Sequence, residues 1–213
     1  MQTLLDHIAV AAPDLATGAD FVERALGVRP GPGGAHPRMG THNLLLRLGD
    51  DVYLEVIAPD PAAPRPARPR WFELDRLGAG APARLATWVA RTDDIGAARA
   101  ACGAEVGEIE PMTRGALSWR ITIPADGSLP CQGAAPTLIQ WDAEPHPASA
   151  LPDAGCALEA LEVWHPDPAR VRAMLDAVAF AGDVAVRGLP AGAAPQLRAR
   201  IRAAGGVRTL GAW

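Results

Sequence analysis

LDHIAVAAPDL, at residues 5–15, decides the fold, because LATWVARTDDI at residues 85–95 aligns with it without a gap. Each copy begins with an apolar stretch typical of a β-strand, passes through a polar turn and leads into an Ala-rich helical pattern. A repeated strand and helix indicates that one supersecondary module occurs twice in the chain. The sequence therefore predicts two modules of similar architecture.

The segments after the first copy complete a β-α-β-β-β module over residues 1–58. Apolar residues recur at helical spacing between residues 15 and 26, with Asp14 as N-cap and Gly27 as the residue that ends the helix. Turns rich in Gly, Pro and Asp separate the segments that follow. Three further strands are predicted: near residue 36, at residues 42–48 and at residues 52–58.

A linker and two further units account for the rest of the chain. Residues 59–83 are rich in Pro, Ala and Arg, which favours an extended linker that carries a short amphipathic helix. The second module is predicted over residues 84–145. A third copy of the repeat, LEALEVWHPDP at residues 158–168, begins a partial third βα-ββ unit over residues 150–213, expected to pack on or extend one of the complete modules.

Charge and hydropathy exclude several classes of function. The net charge is −4 and the twenty basic residues, all Arg, are spread along the chain, so nucleic acid is not an expected partner. The absence of Lys removes Schiff-base chemistry and the phosphate-binding loop that requires a lysine. No apolar run is long enough to cross a bilayer, and the start of the chain has no signal-peptide pattern. We therefore expect a cytoplasmic, bacterial-type protein with no membrane partner.

Strand parity selects the first candidate residues. Ile8 and Val10 form the bulky apolar pair expected to cover the helix, so His7 points to the opposite face of the sheet. The same reasoning in the fourth strand sends Tyr53 and Glu55 to the face of His7. A site around His7 and Glu55 is therefore predicted on the face away from the helix.

Several of these segments together resemble the glyoxalase-like branch of the vicinal oxygen chelate superfamily. The resemblance covers residues 1–145 and is carried by LDHIAVAAPDL at 5–15, GTHNLLLRLG at 40–49, YLEVIAPDP at 53–61, LSWRITIP at 117–124 and PTLIQW at 136–141. It implies an α+β fold in which paired βαβββ modules curl a mixed sheet into a cup. The superfamily includes isomerases, lyases and dioxygenases, so the fold does not select one reaction.

The resemblance also implies a metal site in the cup. The four ligand positions of the family fall on His7, Glu55, Thr87 and Gln140, of which Thr87 departs from the ligand types of the family. His7, Glu55 and Gln140 would hold a divalent ion (Zn, Fe, Mn, Ni or Co) that polarises a small oxygenated metabolite, and Glu55 is also a candidate base. One alternative is that the Gln140 amide has no metal role. Another is a metal-free binding or drug-sequestering protein, and the departure at Thr87 favours this second alternative.

Further residues are candidates for the substrate pocket or for catalysis. Tyr53, on the face of Glu55, is a candidate proton donor, although a lone Tyr on a strand more often packs. The predicted pocket residues are Asn43, His42, Trp71 and Arg120, with Phe72, Arg114 and His36 as weaker candidates, and Asn43 is preferred to His42 on parity. His146 and His165 each adjoin a Pro and are interpreted as turn residues. The three cysteines indicate reduced thiols, and an open sheet edge in the third unit suggests a homodimer.

Overall fold

The computed structural model describes residues 1–142 and 145–211, and both predicted modules are present. The predicted ends of the second and third units include residues 143, 144, 212 and 213, which lie outside this description. The first module consists of β1 (Thr3–Ala11), α1 (Leu15–Leu26), β2 (Gly31–His36), β3 (Thr41–Arg47) and β4 (Tyr53–Pro59). The second consists of β5 (Arg84–Thr92), α2 (Ile95–Cys102), β6 (Glu108–Arg114), β7 (Leu117–Ile123) and β8 (Thr137–Trp141).

The eight strands of the two modules form one curled sheet in the order β2-β3-β4-β1-β5-β8-β7-β6. In each module the first strand pairs in parallel with the fourth, and the antiparallel pair β1 and β5 joins the modules at the centre of the sheet. The prediction of paired modules forming a cup is confirmed. The repeat at residues 5–15 and 85–95 is therefore the pair of central strands.

The polar turns of the repeat begin the helices as predicted. The Asp14 carboxylate accepts from the Thr17 N–H at 2.8 Å, and Asp94 accepts from the Ala97 N–H at 2.9 Å. These side chains satisfy backbone donors that have no partner within the helix. Gly27 ends α1 in the left-handed conformation, with φ of 74°, which a glycine adopts without steric cost.

Two apolar clusters lie on the two faces of the curled sheet. On the convex face Ile8 and Val10 pack with side chains of α1 and α2. On the concave face, which lines the cup, Ala9 and Ala11 of β1 pack with Trp71 and with side chains of β4 to β8. Alternation along β1 therefore sends its side chains to two separate cores, as strand geometry requires.

The linker between the modules lies across the cup. Trp71 and Phe72 are buried and belong to the apolar cluster of the cup, and the predicted short helix is a single 3₁₀ turn at Leu74–Arg76. The segment is held in place where the Glu73 N–H donates to the Gly127 carbonyl at 2.9 Å. The linker thus supplies two aromatic rings to the concave face.

The C-terminal unit contains more than the predicted partial copy. It consists of β9 (Ala157–His165), α3 (Pro168–Ala177), β10 (Val184–Gly188), β11 (Gln196–Ala203) and β12 (Gly206–Gly211). Its strands form a separate sheet in the order β10-β9-β11-β12, in which the first strand pairs in parallel with the second instead of with the fourth. The short turn between β11 and β12 leaves room for the closing strand that the sequence did not predict.

This four-stranded sheet packs on the convex side of the cup, and it extends neither module. Leu161 and Ile201 of the C-terminal sheet share one apolar cluster with Ile8 and Val10. Backbone bonds also join the units, because Leu158 N–H donates to the Leu48 carbonyl at 2.9 Å.

None of the helices in residues 1–142 and 145–211 has the length and hydropathy required to span a membrane.

Gly127 offers a test of how closely the linker is fixed. Its φ is 71°, and a Cβ atom there would lie 2.1 Å from the Arg70 carbonyl oxygen, whereas Gly115 has φ of 58° and open space around it. In both Gly127→Ala and Gly115→Ala the free energy of unfolding should fall by about 1 kcal/mol, because alanine is strained in the left-handed backbone conformation. We expect Gly127→Ala to lose at least about 1 kcal/mol more because the linker must shift. Urea unfolding measures the difference, and equal losses would show that the linker adjusts freely.

Candidate functional site

A β-bulge in β1 places two consecutive polar residues in contact. Leu5 lies opposite Ala90 and His7 opposite Val89, so Asp6 is an extra residue without its own partner in the ladder. His7 Nδ1 lies 2.6 Å from Asp6 Oδ1. In a regular strand the two side chains would point to opposite faces, so the bulge is what allows this contact.

The parallel pairing of β1 and β4 brings Glu55 to His7. His7 lies opposite Tyr53 and Ala9 opposite Glu55, which makes His7 and Glu55 diagonal neighbours on the concave face. His7 Nε2 is 3.6 Å from Glu55 Oε2, and the Tyr53 ring stacks on the His7 ring with 4.5 Å between centroids. Asp6, His7 and Glu55 thus form a buried polar chain that ends in the cup.

Asn43, in β3, connects the polar chain of Asp6, His7 and Glu55 to Arg114 of the second module. Its Nδ2 donates to Glu55 Oε1 at 2.6 Å, and its Oδ1 accepts from Arg114 Nη1 at 3.1 Å. The Gly33-Gly34 pair makes this arrangement possible. A Cβ at Gly33 would lie 2.1 Å from Asn43 Oδ1, and one at Gly34 would lie 2.8 Å from Arg114 Cδ.

His36, at the end of β2, lies between Arg114 and the linker. Its Nε2 is 3.5 Å from Arg114 Nη1, its Nδ1 is 3.2 Å from Thr41 Oγ1, and its ring meets the Trp71 ring edge-on at 5.2 Å. Burial lowers the pKa of His36 to about 4, to which the neighbouring Arg114 charge contributes. The imidazole is therefore neutral at pH 7.

The far side of Asp6 contacts the end of the second module. Asp6 Oδ2 accepts from Trp141 Nε1 at 2.9 Å and lies 2.9 Å from His146 Nε2. Asp6 itself is fully buried. A buried carboxylate is tolerated only when hydrogen bonds replace its hydration, and three side chains do so here.

The charges of the polar chain stabilise one another. Burial opposes a charge on His7, but its contacts with Asp6 and Glu55 outweigh this and raise its pKa to about 9. Burial also opposes ionisation of Glu55, yet the contacts with His7 and the bond from Asn43 lower its pKa to about 2. Burial likewise opposes charge on Asp6, whose pKa is nevertheless lowered by His146 and His7. At pH 7 a protonated His7 therefore lies between two carboxylates.

A cavity lies between the polar chain of Asp6, His7 and Glu55 and the aromatic side chains of the cup. Its free space is about 20 Å³, which is room for roughly one water molecule. The lining consists of polar and aromatic side chains: His7, His36, Tyr53, Glu55, Trp71, Phe72, Arg114, Trp119, Ile121, Ile139 and Trp141. Burial raises the pKa of Tyr53 well above its usual value, so its phenol keeps its proton. A ligand larger than water has to displace part of this lining.

Three residues predicted for the site lie elsewhere, as does Thr87, which occupies the fourth implied ligand position. Gln140 was predicted as a metal ligand, but its amide oxygen accepts from the Ile95 N–H at 2.9 Å and its nitrogen donates to the Asp93 carbonyl at 2.8 Å. Ile139 and Trp141 face the cavity instead, so the alternation of β8 turns Gln140 away. The others are Thr87, whose hydroxyl donates to its neighbouring backbone at 3.4 Å, His42, which lies 3.9 Å from Asp60, and Arg120, which binds Asp142 outside the cup.

The residues of the cup do not fit the implied divalent metal. In the part of the chain that the structure describes, no group of three or more His, Cys, Asp or Glu side chains has an arrangement that could hold a metal ion. Of the four positions suggested by the resemblance, only His7 and Glu55 converge. Metal centres in proteins generally use three or four protein ligands, so this donor set is too small. No chemical step is therefore derived through a metal.

Reasoning from the sequence missed two residues of the network and underrated two others. Asp6 was assigned no role because the bulge that turns it toward His7 leaves no sequence signal. His146 was interpreted as a turn residue, although its ring is buried against Asp6. Arg114 and His36 were only weak candidates. The Gly33-Gly34 pair beside them, in an edge strand, was the available signal for close packing.

Comparison with known proteins identifies the fold. A family model described as a glyoxalase-like domain matches residues 5–179, which covers both modules and reaches into the C-terminal unit. A hypothetical protein from Staphylococcus aureus is similar in structure, with 16% identity and a TM-score of 0.56, over 83% of this chain and 75% of that chain. No curated protein matches the sequence.

Two epimerases are more distant structural neighbours. Methylmalonyl-CoA epimerase from Streptomyces coelicolor, in complex with 2-nitronate-propionyl-CoA, is 19% identical with a TM-score of 0.42, over 64% of this chain and 92% of that chain. The enzyme of the same name from Mycobacterium tuberculosis is 16% identical with a TM-score of 0.41, over 66% and 88% respectively. These likenesses concern the fold alone.

The raised pKa of His7 predicts how stability changes with pH. The stabilisation is fully present below pH 6.5, the ordinary value for histidine, and is lost as the pH rises through about 9. We expect the free energy of unfolding to fall by about 3 kcal/mol at most over this window. His7→Gln should remove this part of the fall in unfolding free energy. His42→Gln, which changes a histidine outside the Asp6, His7 and Glu55 network, should retain it. Urea titrations from pH 6 to 10 measure it, and an unchanged slope in His7→Gln would contradict the assignment.

Proposed function

We propose, because this chain belongs to the glyoxalase-like domain family, that its cup transfers a proton on a small oxygenated metabolite through His7 and Glu55. The observation that carries the proposal is the buried polar chain of Asp6, His7 and Glu55, which ends at a cavity. A buried pair of oppositely charged titratable groups in a concave site is typical of acid and base chemistry. The reaction class is that of an isomerase or lyase.

Glu55 is the base in this proposal. Asn43 holds Oε1 by a hydrogen bond of 2.6 Å, which leaves Oε2 directed toward His7 and available to a substrate proton. Its low pKa belongs to the closed cavity, where the charge of His7 faces it. A substrate oxygen that takes the Nε2–H of His7 weakens this contact and raises the proton affinity of Glu55 toward the range of an effective base.

His7 is the electrophile. Asp6 occupies its Nδ1 and fixes the ring, and the stacked Tyr53 restricts its rotation, so the second N–H of the imidazolium faces the cavity. When Glu55 removes a proton next to a carbonyl, negative charge develops on the carbonyl oxygen. A positioned cation stabilises this charge most effectively in a site without bulk water. His7 thereby supplies the positive charge that the predicted divalent metal was expected to supply.

The aromatic lining favours a second candidate function. Three Trp side chains and Phe72 surround the cavity, a composition suited to holding a flat organic compound without changing it. This is the metal-free binding or drug-sequestering protein considered from the sequence. The two functions differ in one observable, because a sequestering protein returns its ligand with every hydrogen atom unexchanged.

Hydrogen exchange tests the role of Glu55. In D₂O we expect the protein to exchange the hydrogen next to the carbonyl of at least one compound in a panel of small 2-oxo and 2-hydroxy carbonyl compounds, followed by ¹H NMR. Glu55→Gln should lower the rate by about 10²-fold to 10⁴-fold, because an amide cannot accept the proton.

Glu108→Gln, at an exposed carboxylate that pairs with Arg99, is the matched control and should keep the full rate. Equal loss in both variants would show that the effect is not specific to the cup. Binding of a panel compound with no exchange in the native protein would support sequestration instead.

Elemental analysis tests whether the reaction needs a metal. We expect the protein purified without chelator or nickel resin to contain far less than one equivalent of Zn, Fe, Mn, Ni or Co, because only two candidate ligands converge in the cup. Dialysis against chelator should leave the exchange rate unchanged. One equivalent of metal that disappears in Glu55→Ala would contradict the metal-independent mechanism.

A further inference from the structure

Among the carboxylates that the structure describes, none directly neutralises the charge of Arg114. Its guanidinium donates to the Asn43 amide and lies near His36, and in residues 1–142 and 145–211 no carboxylate oxygen lies within 4 Å of it. Asn43 also donates to Glu55, so its amide lies between the Glu55 carboxylate and the Arg114 guanidinium. The cavity wall therefore has a cation with hydrogen-bond donors that its neighbours within residues 1–142 and 145–211 do not use.

Trp71 places a second unused donor in the same wall. Its side chain lines the cavity and is 4% exposed, and its indole nitrogen is buried without a hydrogen-bond partner among the described residues. Leaving a buried donor unpaired costs about 1–3 kcal/mol, so such a group is usually satisfied by something that the protein binds. Neutral His36 contacts both Trp71 and Arg114, so these two side chains lie on the same side of the cavity.

The cavity consequently has two unlike polar sides. Arg114 and Trp71 offer donors on the side of His36, while Glu55 offers an acceptor and His7 an acid on the side of β1 and β4. The lining also includes flat aromatic faces, among them that of Trp119. An uncharged ligand would leave the guanidinium unmatched. A carboxylate has two oxygens to accept from such donors, and its bond from the guanidinium gains from charge assistance.

We infer that the ligand of the cup is a small flat carboxylate, bound through Arg114 and the Trp71 N–H, with its reactive hydrogen directed to Glu55. The inference rests on the proposed function and narrows its substrate class to carboxylic acids in which a flat conjugated group adjoins the carbon that carries the exchanged hydrogen. Guanidinium is suited to this because its planar fork matches a carboxylate. Arg114 and Trp71 are the residues that determine specificity for the acid.

Benzoate and its neutral analogue benzamide test the inference, since they share the same flat ring. We expect benzoate to bind the full chain about tenfold more tightly than benzamide at pH 7, measured by calorimetry and by quenching of Trp fluorescence. Equal affinity, or no benzoate binding up to millimolar concentration, overturns the inference without need of a variant.

Variants then locate the binding. Arg114→Gln should abolish the preference for benzoate, Arg114→Lys should keep part of it, and Trp71→Phe, which retains an aromatic wall, should weaken benzoate by about tenfold. Arg120→Gln is the matched control, because Arg120 lies on the adjacent strand and binds Asp142 outside the cup. A preference that survives Arg114→Gln, or that disappears in Arg120→Gln, overturns the assignment.

The two proposals can fail separately. If exchange that depends on Glu55 occurs only on neutral carbonyl compounds, proton transfer stands and the carboxylate class is wrong. If benzoate binds through Arg114 and no compound exchanges, the carboxylate site stands and the proton-transfer function is wrong.

Discussion

The burial of the Asp6 carboxylate is the constraint on which the arrangement of the site depends. A carboxylate without solvent must be surrounded by donors, and Asp6 draws them from its neighbour His7 and from Trp141 and His146 at the end of the second module. Breaking such a network leaves an uncompensated charge, which costs several kcal/mol. The relative positions of the two modules and the orientation of His7 are therefore fixed by the same group.

Two opposing effects explain why the charges are placed there. Burial alone would neutralise His7 and Glu55, whereas their mutual contacts keep both ionised. The result is a cup in which positive charge comes from the side chains His7 and Arg114. Of the four positions that the resemblance implies for a metal, two, His7 and Glu55, converge in the cup, with the Asp6 carboxylate behind the histidine and the Asn43 amide in front of the glutamate.

The sequence predicted the fold well because its evidence was periodic and local. The gapless repeat gave the modules, and alternation in β1 and β4 placed His7 and Glu55 on one face. It failed for Gln140, because the resemblance carried over a ligand position that the alternation of β8 turns toward α2. It failed for Asp6 because a bulge shifts parity without a recognisable residue pattern. Arg114 depends on contacts between edge strands far apart in the chain, which no single segment encodes.

Trp71 and Phe72, which close the cup, belong to neither repeated module but to the chain between them. Two separate copies of the module, however well they associated, would form the curled sheet and still lack one wall of the pocket. The linker is thus a structural part of this site that the two repeated modules do not supply. The stretch that composition marks as a spacer is where a descendant of this chain could change what it recognises while leaving both repeats intact.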